Sequence, residues 1–165
     1  MLPSVIPCGS YSSGSGISGT YSYSSVTGNL TLSGTNVATL ANGSYCFNNI
    51  TLTNSAQLKV NGPVVIRLTG TLNASGASSI NNTTAIPANL RILSSYTGSN
   101  GVSLTNAANT YMVVYAPQTN VSVSGNAPLF GAVVGKTLSV TNSGAVHFDI
   151  TVQNSWPEWC TLSNP

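Results

Sequence analysis

Leu30-Thr31-Leu32-Ser33-Gly34 alternates apolar and polar residues and then breaks on a glycine. The close of that phrase is an apolar residue, then Ser or Thr, then Gly or Asn. It recurs as Leu52-Thr53-Asn54, Ala74-Ser75-Gly76, Leu104-Thr105-Asn106, Val123-Ser124-Gly125 and Val140-Thr141-Asn142. Successive copies are 20, 22, 30, 19 and 17 residues apart. A unit of roughly 20 residues stacked on its neighbours is one turn of a β-solenoid. The 30-residue interval contains Thr83 to Pro87 and Ser94 to Gly101, and reads as a coil carrying one or two loop insertions.

Working outward, period-two alternation continues through Leu58/Val60, Val64/Ile66/Leu68, Leu90/Ile92 and Val146/Phe148/Ile150. Each run is short and ends in turn residues, which is strand punctuation. No apolar stripe at helical spacing is present, and strong helix formers are scarce. The chain therefore reads as all-β. The expected fold is a single-domain parallel β-solenoid, or β-helix, of roughly 20-residue coils with irregular terminal caps. A β-sandwich is the alternative.

Charge separates the two. The 165 residues include 4 Lys or Arg and 2 Asp or Glu, against 25 Ser, 19 Thr, 19 Asn and 16 Gly. Equivalent positions of stacked coils lie only ~4.7–4.9 Å apart, so a repeated charge would face itself along the stack. Ser, Thr and Asn escape that repulsion, and Asn can form amide ladders. A sandwich built of hairpins has no such reason to shed its charges.

The same composition excludes function classes. Four scattered cations cannot form the basic stripe that neutralises a phosphate backbone, so no nucleic-acid partner is expected. The longest apolar runs, such as Tyr111 to Tyr115, are too short to cross a bilayer, so no membrane insertion is expected. One His and two carboxylates leave little general acid–base chemistry, so the chain is expected not to be an enzyme. β-Helical polysaccharide lyases or pectinases would need a groove lined with charges that this chain lacks. No catalytic residue, cofactor site or metal site is expected.

The expected boundaries are an N-terminal arm or cap at 1–28, the solenoid at 29–152 and a C-terminal cap or docking tail at 153–165. Trp156 and Trp159 suit the covering of an open coil or contact with another subunit. Tyr11, Tyr21, Tyr23 and Tyr96 read either as an exposed platform for sugars or subunits, or as half-buried strand positions. Cys8, Cys46 and Cys160 lack the close spacing of a zinc site. Three cysteines suggest one intrachain bridge with a spare thiol, or a bond between subunits. Cys46 is expected to be buried or paired with Cys8. A bond locking neighbouring subunits, through Cys8 and Cys160 across a head-to-tail junction, is the sharper alternative. His147 and Asp149 lie two apart on one strand and read as a solvated or hydrogen-bonded pair. The opening residues Met1 to Cys8 have neither a basic segment nor an apolar one of signal-peptide length, and Pro7 before Cys8 argues against lipid attachment.

The stretch Gly43 to Ile66, followed by Leu72-Asn73-Ala74-Ser75-Gly76, Tyr111 to Pro117, Leu129 to Lys136 and Ala145 to Asp149, resembles a bacterial surface β-solenoid domain. That domain forms the C-terminal part of proteins similar to pilus-assembly minor pilins. The likeness spans roughly residues 30–150. It implies an extracellular, envelope-associated location and a structural or adhesive role, and it brings no catalytic residues with it. The leading expectation is a structural protein, secreted or at the cell surface, assembling end to end into a homo-oligomeric filament through the solenoid ends. The alternative is an adhesin-like module binding surface glycans, with ice binding a weaker variant because no sustained Thr-X-Thr array is evident.

Overall fold

The computed structural model describes residues 2–106 and 108–155, and within them the chain is a parallel β-solenoid of stacked coils. After two short strands, β1 (Ile17–Gly19) and β2 (Ser22–Ser24), the first coil runs β3 (Asn29–Leu32), β4 (Val37–Leu40) and β5 (Gly43–Phe47). The second repeats it as β6 (Ile50–Leu52), β7 (Gln57–Val60) and β8 (Val64–Leu68). The third is β9 (Leu72–Ala74), β10 (Ser79–Asn82) and β11 (Leu90–Ser94). These strands build three faces. The first holds β3, β6 and β9, the middle one β4, β7 and β10, and the third β5, β8 and β11, all paired in parallel.

Beyond β10 the middle face has no further paired strand among the described residues, and the coils pass between the two outer faces. β12 (Val102–Asn106) continues the first face. β13 (Thr110–Gly125) and β14 (Leu129–Val140) are long enough to bend around a corner, so each supplies the third face with its first half and the first face with its second. β13 irregularly shifts register between Ala116 and Asn120, where it turns that corner. β15 (Val146–Phe148) closes the third face.

The repeated phrase is the fold's register mark. Leu32, Leu52, Ala74, Leu104, Val123 and Val140 stack directly on one another. Just past these strands Gly34, Asn54, Gly76 and Asn142 have φ of 64°, 60°, 71° and 58°. That left-handed turn favours glycine and asparagine, and it is why the punctuation recurs. Inward residues form one continuous core of Leu, Ile and Val from β3 to β14.

Both insertions are present, and each is held by a buried polar side chain. Asn82 continues the apolar column Leu40–Val60. It donates from Nδ2 to the carbonyls of Ile86 at 2.8 Å and Tyr111 at 3.1 Å, and accepts from the Thr84 hydroxyl at 2.7 Å. Thr119, buried at the corner of β13, accepts from the Gly101 amide at 2.9 Å and donates to the Gly98 carbonyl. Buried polar groups persist when paired in this way.

At the N-terminus the first strands lie against the first coil. β1 lies antiparallel on β4, and β2 antiparallel on β3. Over β5, the Ser12 amide donates to the Cys46 carbonyl and the Cys46 amide donates to the Ser12 hydroxyl, at 3.0 and 2.8 Å. All three faces of the first coil are thereby covered. At the other end a short 3-10 helix, Ile150–Ser155, follows β15, with Val152 packed on Val113 and Ala132.

Candidate functional site

Three features of the outer surface carry functional information. The first is the exterior of the first face. Thr31, Thr51, Asn73, Ser103, Ser122 and Ser139 stack rung upon rung along its centre. To one side the Asn49 side chain donates to Asn29 at 3.0 Å and accepts from the Thr71 hydroxyl at 3.0 Å, while Thr105 and Ser124 pair at 3.3 Å on the other. The flanks are thus laced between rungs. A shallow recess of about 500 Å³ opens on this face between Thr71, Asn73, Asn100, Ser103 and Ser122. Lys59 lies on the middle face, Arg67 and Arg91 lie on the third, and Lys136 stands between the two halves of β14's pairing, so the central column carries no charge. The absence of like-charge ladders is what permits this spacing.

The second feature is the last coil. Val121 and Val123 are fully buried, but Leu138 and Val140, next along the same inward columns, are 45% and 43% exposed. Phe148, which follows Met112 and Gly131 along another inward column, is 63% exposed, and Ile150 beside it 72%. Among the described residues the core therefore ends in exposed apolar side chains and in the strand edges of β14 and β15. No Lys, Arg, Asp or Glu occurs from Thr137 to Phe148.

The third feature is a strip on the outside of the third face. Cys8 and Cys46 form a disulfide with Cα atoms 6.2 Å apart. Of the expected arrangements, the intrachain Cys8–Cys46 pair is the one formed, so a junction bond through Cys8 is not. Cys160 is the remaining cysteine of the sequence, and with Trp156, Trp159 and Glu158 it lies outside the described residues.

The tyrosines do not make a platform. Tyr23 packs edge-on against Phe47, 5.5 Å away at 87°, and donates to the Ser12 carbonyl. Tyr21 donates to the Ile17 carbonyl at 3.1 Å, and Tyr11 lies within hydrogen-bonding reach of Thr69 at 3.4 Å. Their rings cover the first coil, because an apolar core must be closed where the stack begins. Tyr96 is half-buried in the second insertion, its amide bonded to Ser94. Tyr45 donates to the Gly16 and Ala41 carbonyls, and burial raises its phenol and that of Tyr23 above their ordinary value.

His147 and Asp149 do not pair. His147 closes a stacked column on the third face, 5.0 Å from Phe130, which stands 5.1 Å from Tyr111. Asp149 lies beyond the strand and accepts from the Thr151 hydroxyl and amide at 2.6 and 2.9 Å, bonds that hold its carboxyl below the ordinary value. Among the described residues there is no group of three or more His, Cys, Asp or Glu placed to hold a metal ion. None of their helices is long and apolar enough to cross a membrane.

With a closed first coil, a last coil that is open among the described residues and a first face of uncharged hydroxyls and amides, the molecule is a capped parallel β-solenoid. The chain belongs to the family described as Domain of unknown function (DUF7305), whose profile matches residues 10–155. No curated protein and no solved structure matches it.

Proposed function

We propose that this is a non-enzymatic, extracellular structural protein, secreted or displayed on a bacterial surface, which joins further copies of itself end to end into a pilus-like filament. The observation that carries this reading is the last coil, where, among the described residues, Leu138, Val140 and Phe148 are exposed on inward columns whose earlier members are buried. An unpaired strand edge over an exposed core is a template for another chain. A second copy is the occupant, because its cap offers a matching edge on the first face: β2 pairs only with β3, leaving its outer edge for the second half of β14 in the next molecule's last coil. The uncharged stretch from Thr137 to Phe148 brings no charge repulsion to that contact. The disulfide supports an oxidising, extracellular setting.

Sedimentation velocity over a range of concentrations tests the assembly. Wild-type protein is expected to form a growing series of species, and Leu138→Lys to remain monomeric. A wild-type monomer at every concentration would overturn the reading, and a dimer that grows no further would remove the filament.

A second reading is favoured by the hydroxyl and amide column from Thr31 to Ser139. It makes the first face an adhesin-like surface for neutral glycans or, less readily, for ice. Glycan-array binding and thermal hysteresis, each compared with a Ser103→Lys variant, test it. No binding and no hysteresis would remove this reading and leave the assembly unaffected.

A further inference from the structure

On the third face, side chains of alternate residues point outward and should meet solvent, yet Leu93 is 7% exposed and Tyr115 is fully buried. They stand on one outward column, in register from Cys46 through Arg67, Leu93 and Tyr115 to Val134. What covers them is the chain's own beginning. Val5, 6% exposed, packs with Leu93 and Tyr115, with Val65 and Val134 at the margin. The Tyr115 hydroxyl donates to the Pro3 carbonyl at 2.6 Å, a contact across 112 residues of sequence. Residues 3–8 thus cross the coils outside the sheet, from Tyr115 down to Cys46, where the disulfide fixes them.

We infer that residues 2–8 are a strap, that the Cys8–Cys46 bond is its latch, and that opening the latch uncovers the apolar strip centred on Leu93 and Tyr115. The Val5 packing and the Tyr115–Pro3 hydrogen bond hold the segment against the sheet, opposed by the backbone entropy lost in ordering it, and the disulfide adds the covalent restraint. Without that bond the next fixed points are Tyr11, within reach of Thr69, and Ser12, hydrogen-bonded to Cys46. Opening is a thiol–disulfide exchange with a small dithiol. The S–S bond breaks, both cysteines take up a proton and become thiols, and the dithiol loses two electrons and two protons to become a cyclic disulfide.

The test is tyrosine nitration by tetranitromethane, located by peptide mass spectrometry. It is applied to the folded oxidised protein, to the same protein reduced with dithiothreitol and alkylated, and to the Cys8→Ser variant. Tyr115 is expected to be protected in the oxidised chain and to react several-fold more once the latch is open. Tyr45, held beneath the cap by Gly16 and Ala41, is expected to stay protected in all three. Continued protection of Tyr115 after reduction overturns the inference. So does equal reaction of Tyr45, since the bond would then hold the whole first coil and not the strap. The reduced wild type keeps the test open if Cys8→Ser fails to fold.

Discussion

Replacing Thr31, Thr51 and Asn73 together by lysine puts three like charges on consecutive rungs of the first face, because these residues are direct register partners. All three side chains point outward and at least partly meet solvent, so no core is disturbed. Two unit charges ~4.8 Å apart repel by about 0.9 kcal/mol in bulk water. Two such pairs and one at twice the distance amount to about 2 kcal/mol, which splaying of the lysine tips lowers to about 1–2 kcal/mol. Each single substitution should fall within about 0.5 kcal/mol of wild type, as exposed changes usually do. The assay is urea unfolding of the wild type, the three single variants and the triple variant, at low salt and near 1 M salt, where the screening length falls to about 3 Å. The triple variant is expected to lose more than the sum of the singles at low salt and to regain most of that excess at high salt. A strictly additive loss, or one indifferent to salt, would refute the stacking of these positions and with it the account of the missing charges.

Other perturbations reach different parts of the molecule. Gly131 has φ of 139° and a Cβ there would collide with the Met112 carbonyl oxygen, so Gly131→Ala should cost upward of about 2 kcal/mol in urea unfolding; an unchanged midpoint contradicts that packing. Asn82→Leu continues the apolar column but strips the Ile86 and Tyr111 carbonyls of their donor, and should destabilise by about 2–3 kcal/mol, whereas a stabilised variant would show that the amide is dispensable. Leu52→Ala, at a fully buried position in the second coil, should cost about 2–5 kcal/mol, and a cost below 1 would deny it a place in the core. Burial raises the Tyr23 and Tyr45 phenols above 10.0, so the stability they lend is complete below that pH and is lost as pH rises through the higher folded values. An alkaline titration followed by tyrosine absorbance and circular dichroism should show the two phenols ionising together with loss of the cap; ionisation at the ordinary value with structure intact contradicts it.

The coil length, the register and both insertions were legible because one physical demand repeats at every turn. The tight corner needs a left-handed residue, so Gly34, Asn54, Gly76 and Asn142 mark where four of the six first-face strands end. The N-terminal cap was harder to read, since β1 and β2 are three residues each and pair antiparallel, outside the repeat. The tyrosines there read either as a surface platform or as half-buried positions because an aromatic ring with a polar tip suits both roles, and for Tyr23 the tertiary contact with Phe47 decides. The strap left one signal. Tyr111-Met112-Val113-Val114-Tyr115 is continuously apolar where a strand with one wet face would alternate, which marks burial on both sides. Nothing local identified the covering segment, because Pro3 and Val5 meet Tyr115 only across more than a hundred residues. The open end was likewise invisible, since Leu138 and Val140 alternate just as the buried Val121 and Val123 do, and exposure depends on whether another rung follows.

In the proposed end-to-end assembly the last coil is the place where copies meet. Hydrogen–deuterium exchange of the full chain at low and high protein concentration examines that directly. Amides from Thr137 to Phe148 are expected to exchange more slowly as concentration rises, with the inner rungs from Leu30 to Leu104 unchanged. Exchange at Thr137 to Phe148 that stays fast at every concentration, or slowing confined to another surface, would contradict it.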